Sequence, residues 1–251
     1  MRSMGNVLVA YSGGVDSSYL AYIANDVLGD SALCVLGRSP SVSQHQFDEA
    51  LRTANEIGSK LVTIDTKEVE REEYAVNPTN RCYFCKSELY EKLRALADER
   101  GVEFVVDGTN ADDIKDVRPG RLAANERSVL SPLAEVGLNK QEIRQLSKAA
   151  RLSGWEKPAS PCLASRIAYG VPVTIERLSR VEAGEAFLRD LGFREFRVRV
   201  HGELVRIEIT PAELEKALNK DFADLAVRRF NEIGFKYVTL DLKGFRSGSL
   251  N

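Results

Sequence analysis

The sequence predicts an α/β protein: a doubly wound parallel sheet followed by a smaller α+β domain. Three observations predict it. Short apolar, β-rich runs alternate with segments of helical spacing through the first half of the chain. A glycine-rich turn joins the first of those runs to the first helical segment. Past a stretch holding Pro158, Pro161 and Pro172, the order changes to helix, strand, strand, helices, strand. Alternating strands and helices pack as a parallel sheet covered on both faces. The 251 residues accommodate one large or two modest domains. The change of order divides them into 1–153 and 154–251.

Each element has its own signal. Val7–Tyr11 reads as the first strand, Ser17–Leu28 as the first helix and Ala32–Gly37 as the second strand. Phe47, Leu51, Ala54 and Ile57 recur at helical spacing within Gln44–Ile57, and Gly58 stops that helix. Leu61–Asp65 is the third strand. Leu89, Leu93, Leu96 and Ala97 mark Lys86–Arg100 as a helix closed by Gly101. Phe104–Asp107 and Val129–Leu130 supply two more strands. Asn139–Ala150 is a helix with Asn139 as its cap and Gln141-Glu142 in its first turn. Thr174–Leu191 then reads as a helix, and Arg194–His201 and Leu204–Ile209 as strands. Their short His201-Gly202-Glu203 link suits a hairpin. Pro211–Leu218 and Phe222–Ile233 are helices, and Tyr237–Leu242 is the last strand.

Lys and Arg number 35 against 37 Asp and Glu, a formal net charge of −2. That balance lacks the cationic excess of a general nucleic-acid or polybasic membrane binder. No apolar run approaches the roughly 20 residues that span a bilayer, and Val7–Ala10 is too short for the core of a secretion signal. The expectation is a cytoplasmic chain with no nucleic-acid or membrane partner. Its four cysteines are then reduced, and clustered ones point to metal or redox chemistry before disulfides.

The first strand runs into Ser12-Gly13-Gly14-Val15-Asp16-Ser17-Ser18 at the start of a helix. The glycines bring backbone N–H groups close to an anion, the hydroxyls of Ser12, Ser17 and Ser18 add donors, and the helix N-terminus adds a positive field. This is a phosphate or pyrophosphate cradle. It lacks the Gly-Lys-[Ser/Thr] ending of a Walker loop and is not Gly-x-Gly-x-x-Gly. Asp107-Gly108-Thr109-Asn110-Ala111-Asp112-Asp113 follows the fourth strand, at the sheet end where such folds bind ligands. Asp112 and Asp113 are candidates to face Mg²⁺ or substrate; a solvated acidic turn is the alternative, more for Asp113 than for Asp112.

Cys34 lies in an apolar strand and reads as a small core residue. Cys82 and Cys85 stand in Asn80-Arg81-Cys82-Tyr83-Phe84-Cys85-Lys86, read as immediately preceding a helix, where a helix N-terminus and nearby cations favour thiolates. Cys162 lies in the proline-stiffened Ser160-Pro161-Cys162-Leu163-Ala164-Ser165-Arg166. Three thiolates fall one short of the usual ligand count for structural zinc or a [4Fe–4S] cluster, and on a cluster they leave one iron open. A redox pair at Cys82 and Cys85 with an unrelated Cys162 is the alternative. In the strand Arg194–His201, Arg197, Arg199 and His201 share one face, and guanidinium groups suit phosphate or carboxylate. An ion-paired solvated face, matched by Glu203 or Glu208, is the competing reading.

The Ser-Gly-Gly-x-Asp-Ser loop resembles that of the PP-loop ATP pyrophosphatases, whose fold is adenine nucleotide alpha hydrolase-like. The resemblance implies a PP-loop domain over 1–153 and cleavage of ATP between its α- and β-phosphates. It further implies that Ser12, Gly13, Gly14, Ser17 and Ser18 hold the pyrophosphate, that Asp16 helps place Mg²⁺, and that Gly37-Arg38 seats adenine; Gly108 and Asp112 join the nucleotide site on their position after the fourth strand. Together with Asn-Arg-Cys-x-x-Cys-Lys, Pro-Cys-Leu-Ala-Ser-Arg-Ile and the terminus Asp241–Asn251, the loop is similar to LarE-type sulfur transferases. For such proteins the implied chemistry is adenylation of a carboxylate on a pyridinium mononucleotide, then sulfur displacing AMP, toward a nickel-pincer cofactor of lactate racemase. Domain 154–251 would then carry substrate and sulfur transfer. Arg197 and Arg199, with Arg166 a lesser candidate, are implied to hold the substrate phosphate. Cys162 acts either as a sacrificial sulfur source or as a ligand, with Cys82 and Cys85, of a [4Fe–4S] cluster. All three positions are present, which favours the cluster, reloaded by an unspecified sulfide donor. The resemblance also implies a homo-oligomer. The rivals are a tRNA thiolase and an amidating synthetase of the GMP or NAD synthetase kind.

Overall fold

The computed structural model describes residues 1–115, 119–158 and 160–246. Ala159 and the terminal Ser247-Gly248-Ser249-Leu250-Asn251, the latter part of the terminal motif above, lie outside the described residues. The chain forms two compact units: Met1–Glu70 with Asn80–Ser160, and Arg71–Thr79 with Pro161–Asn251. Among the described residues no helix is long and apolar enough to cross a membrane.

In chain order the elements of the first half are β1 (Val7–Tyr11), α1 (Val15–Leu28), β2 (Ala32–Arg38), α2 (Gln44–Ile57), β3 (Leu61–Asp65), α3 (Glu72–Ala75), α4 (Arg81–Glu99), β4 (Phe104–Asp107), α5 (Ala111–Lys115), α6 (Pro119–Glu126), β5 (Val129–Leu130), α7 (Pro132–Glu135) and α8 (Lys140–Ala149). The sheet is parallel throughout, in the order β3-β2-β1-β4-β5. Strand β1 is buried at every residue because its period of two feeds two cores. Val7, Val9 and Tyr11 pack with Leu20, Ala24, Ala54 and Ile143 on one face. Leu8 and Ala10 pack with Tyr90, Leu93, Ala97 and Ala123 on the other. The strand order reverses between β1 and β4, whose ends meet at Ala10 and Asp107. A reversal of this kind opens a crevice at the carboxyl ends of the two strands.

Helix α4 corrects the sequence reading. It starts at Arg81 rather than Lys86, so Cys82 and Cys85 lie within its first turns and not before it. Cys, Tyr and Phe are indifferent helix formers, and packing of α4 beside α6 decides the matter. The division between units also falls after Ser160, not after residue 153. Arg144 on α8 donates Nη1 to the Trp155 carbonyl (2.8 Å) and Nη2 to that of Lys157 (2.7 Å), which ties this segment to the first unit.

The second unit contains α3 and α9 (Ile175–Asp190), β6 (Phe196–His201), β7 (Leu204–Ile209), α10 (Pro211–Leu214), α11 (Lys220–Ile233) and β8 (Tyr237–Leu240). Strands β6 and β7 form the expected antiparallel hairpin, and β8 pairs parallel to β7. The helix expected over Pro211–Leu218 breaks into α10 and a 3₁₀ turn. Residues 71–79 belong here because Asn77 is fully buried. Its amide donates to the carbonyls of Ala168 (2.8 Å) and Val171 (2.9 Å), and its own carbonyl accepts the Gly170 N–H.

Candidate active site

The phosphate loop sits where β1 hands over to α1. Gly13 takes φ +74°, and a Cβ there would fall 2.5 Å from that of Ala50, so only glycine fits between the loop and α2. Tyr11, two residues earlier at the end of β1, donates its hydroxyl to the Ala50 carbonyl at 2.9 Å, and burial pushes its pKa up to about 12. Inside the loop, Ser17 Oγ donates to the Gly14 carbonyl (3.1 Å) and lies 3.0 Å from Ser12 Oγ. Ser17 and Ser18 are buried in the first turn of α1. Gly14 caps α1 with no side-chain hydrogen bond, which leaves its first N–H groups for an anion. Gly108 closes the loop from the other side: a Cβ there would lie 2.7 Å from the Ser17 nitrogen.

Between these parts lies a cavity of about 360 Å³, within the first unit. Ser12, Gly14, Asp16 and Ser17 form one wall and Asp107, Gly108 and Asp113 another. Cys82, Lys86, Leu89 and Tyr90 of α4 complete it. Residues 82, 86 and 90 recur every four positions, so one stripe of α4 faces the ligand space. The buried Asp107 is the hub: its Oδ2 accepts from Tyr90 Oη (2.8 Å), and its Oδ1 accepts from Ser131 Oγ (2.8 Å) and the Thr109 N–H (3.1 Å). Burial holds the Tyr90 hydroxyl above its ordinary pKa. The Tyr90 phenol and then the Asp107 carboxylate raise the Lys86 ammonium, so Lys86 stays cationic in the cavity.

Asp16 Oδ2 accepts from Lys140 Nζ at 2.6 Å, while Oδ1 is buried with no hydrogen-bond partner. A hard anionic oxygen left over beside a phosphate cradle fits Mg²⁺. Asp112 is half exposed and turned elsewhere, accepting the Lys140 backbone N–H (3.0 Å) and Lys115 Nζ (3.1 Å); the first of these holds its carboxyl below the usual range. Asp113 is the one of the pair that lines the cavity, and its Oδ2 accepts the Asn110 N–H. Gly37 and Arg38 end β2 outside the cavity lining, with Arg38 ion-paired to Asp65 at 3.4 Å. Cys85 also lies outside that lining. Among the described residues no three His, Cys, Asp or Glu side chains gather as metal ligands do. Tyr90 and Lys140 carry no role in the sequence reading, Lys86 enters it only as a cation near the thiols, and Asp107 only as the start of the segment at the ligand end of the sheet; the i, i+4, i+8 spacing from Cys82 is the signal that points to Lys86 and Tyr90 as lining residues.

In the second unit the arginines meet internal carboxylates. Arg166 is buried and bidentate on Glu185 of α9 (2.8 and 3.0 Å), and its Nη1 donates to the carbonyls of Pro161 (2.6 Å) and Cys162 (2.9 Å). Arg199 donates to the fully buried Glu208 (3.0 Å) and to the Ser165 carbonyl (2.9 Å). Glu208 also takes Arg206 (2.9 Å). Arg197 is half-buried with its guanidinium 4.5 Å over the Phe245 ring. Burial, then the like charge of Arg166, lowers its pKa to about 10. These groups hold the Cys162 loop: Cys162 caps the 3₁₀ turn Leu163–Arg166 and is half-buried.

Comparison with known proteins accounts for both units. The chain is 45% identical over 248 residues, 99% of its length and 92% of the relative's, to an uncharacterised protein of Synechocystis. It is 35% identical over 252 residues to the pyridinium-3,5-bisthiocarboxylic acid mononucleotide synthase of Lactiplantibacillus plantarum, covering 100% of this chain and 91% of that one. The chain belongs to the LarE-type family of ATP-dependent sulfur transferases. An uncharacterised Methanocaldococcus jannaschii protein is 30% identical over 241 residues, 96% of this chain and 91% of its own. A family model described as NAD synthase matches residues 2–97, the part that carries the phosphate loop and the cysteine pair. As in other PP-loop proteins, LarE-type loops take ATP with Mg²⁺, which the cradle and the spare Asp16 oxygen fit.

Proposed function

We propose that this chain adenylates a ring carboxylate of pyridinium-3,5-biscarboxylic acid mononucleotide and converts it to a thiocarboxylate, twice per molecule, in the cytoplasm. The product serves a nickel-pincer cofactor of the lactate racemase kind. One observation carries the reading: the phosphate loop and Cys82 line a single cavity at the β1/β4 crevice. An anion activated at the loop is therefore formed beside a thiol.

The carboxylate oxygen attacks the α-phosphorus, the bond from that phosphorus to the bridging oxygen breaks, and pyrophosphate leaves. Ser12, Ser17 and the open N–H groups of α1 hold the departing phosphates. Mg²⁺ on Asp16 would supply charge neutralisation there. Lys86, kept cationic, faces the same anionic centre. Sulfur then attacks the acyl carbon and the bond to AMP breaks, giving thiocarboxylate and AMP. Arg197 and Arg199, with Arg166, hold the substrate phosphate. The low pKa of Arg197 among like charges supports this, since a bound anion relieves that repulsion. A [4Fe–4S] cluster on Cys82, Cys85 and Cys162 would supply a transferable sulfide, the donor chemistry of three thiolates being right for iron. The protein acts as a homo-oligomer, which sedimentation velocity tests.

The test is anaerobic incubation with ATP, Mg²⁺, the dicarboxylate mononucleotide and sulfide. Expected are pyrophosphate, AMP and a product whose mass shows oxygen replaced by sulfur. Pyrophosphate release with ammonia and an amide product would sink the proposal and support an amidating synthetase, the reading that the NAD synthase match favours.

A further inference from the structure

The Asp16–Lys140 pair has no evident work in the fold. Its side chains are 21% and 36% exposed, and ion pairs so placed contribute little to stability. Yet the contact is short, at 2.6 Å, and it takes one oxygen of the only carboxylate in the phosphate loop. The other oxygen stays buried without a partner. The backbone of Lys140 is fixed independently of its ammonium. It opens α8 behind Asn139, whose side chain and that of Glu142 form a reciprocal cap, and its N–H is bound to Asp112. Only the flexible stem and the charge reach Asp16.

We infer that Lys140 is an internal counter-ion to Asp16, occupying the carboxylate that a divalent cation needs and keeping the metal off until nucleotide arrives. An ammonium on Oδ2 and a hard divalent cation on Oδ1 compete for the same carboxylate, since both gain most of their energy from its single negative charge. A lone Mg²⁺ must displace the lysine and regain little. A cation that enters on the phosphates of ATP brings further oxygen ligands and meets the unpartnered Oδ1. The ammonium leaves without breaking the backbone contacts that hold α8. Lys140 is thus a positioning residue that enforces nucleotide-linked metal entry. The inference rests on Asp16 as the metal ligand.

The experiment is titration of nucleotide-free protein with Mn²⁺, followed by electron paramagnetic resonance of the free ion. Wild type is expected to bind weakly, and Lys140→Gln roughly tenfold tighter or more. Lys140→Arg, which keeps the charge, should bind as wild type does, and Asp16→Asn/Lys140→Gln should lose the gain. Circular dichroism verifies that each variant is folded. Equal affinity for wild type and Lys140→Gln overturns the inference, as does a gain that survives in the double variant. Pyrophosphate release by Asp16→Asn separates the two levels. If that variant is inactive and Lys140→Gln gains nothing, the counter-ion role alone falls. If Asp16→Asn stays active, Asp16 is not the ligand and the inference falls with it.

Discussion

Replacing Asp16 by Asn should abolish chemistry while sparing the fold, and the structure sets both magnitudes. The pair with Lys140 is partly exposed on both sides, so its loss costs about 0–1 kcal/mol of stability. For a chain of this size that is a fall in Tm of at most about 4 °C. The Asn side chain is isosteric, keeps an oxygen for Lys140 and places no bulk in the loop. Activity is another matter. A Lewis-acidic cation on the phosphates is worth several kcal/mol of charge stabilisation, and an amide is a poor ligand for it. Losing about 3 kcal/mol of that is about two decades in rate. The assay is pyrophosphate release with saturating ATP and mononucleotide, alongside a melting curve. A rate within a few-fold of wild type would remove Asp16 from the mechanism. A melting point lower by about ten degrees would show instead that the pair is structural.

Arg197→Ala should weaken mononucleotide binding by roughly one to two decades, the cost of about 1.5–3 kcal/mol for a lost charge-assisted bond, and leave ATP binding unchanged; calorimetry with each ligand checks this. Arg199→Ala is expected to act differently: it removes one of two cations from the fully buried Glu208, so the melting point should drop along with affinity. Burial pushes the Cys34 thiol up to about 11, leaving about one thiolate in a thousand at pH 8. Alkylation of native protein should therefore spare Cys34, and rapid labelling there would refute its place in the core.

The parallel sheet was legible because each strand of the first unit is a short apolar run followed by a helical period, and β1 lies at its centre with both faces covered. The loop was legible because its chemistry is local: glycines, hydroxyls and one carboxylate within seven successive residues, Ser12 to Ser18. The far wall of the cavity was legible only in part. The Asp107 segment falls at the ligand end of the sheet and the spacing from Cys82 marks a stripe of α4, but that Tyr90 and Lys86 meet Asp107 is decided by strand order and helix packing. The arginine strand shows the same limit. Alternation placed Arg197 and Arg199 on one face, yet their fates differ because Glu208 on β7 stands in register with Arg197 and reaches across to Arg199. The start of α4 was misplaced for a related reason: intrinsic propensity ends the helix at Lys86, and packing against α6 carries it back to Arg81.

The fate of Cys162 decides between two routes that share the adenylation step. In the sacrificial route the Cys162 thiolate attacks the acyl carbon and AMP leaves; removal of the Cα proton then breaks the Cβ–S bond, leaving dehydroalanine. The loop is competent for this. The Cys162 carbonyl accepts the Ser165 N–H (3.0 Å) and the Arg166 Nη1 (2.9 Å), donors that stabilise negative charge building on that oxygen as the proton departs. Local geometry therefore does not discriminate, and the choice falls to Cys82 and Cys85, which have no part in the sacrificial route. Cys82 lines the nucleotide cavity, where a sulfur species held by the pair would stand beside the activated carboxylate. The expected result follows from that. Cys82→Ala, Cys85→Ala and Cys162→Ala should each lose iron and sulfur transfer while still releasing some pyrophosphate. After turnover with excess ATP and sulfide, intact-mass spectrometry should find the chain unchanged. A chain lighter by hydrogen sulfide at Cys162, together with an active Cys82→Ala, would mean that Arg166 holds a sacrificial cysteine and that the pair on α4 serves another end.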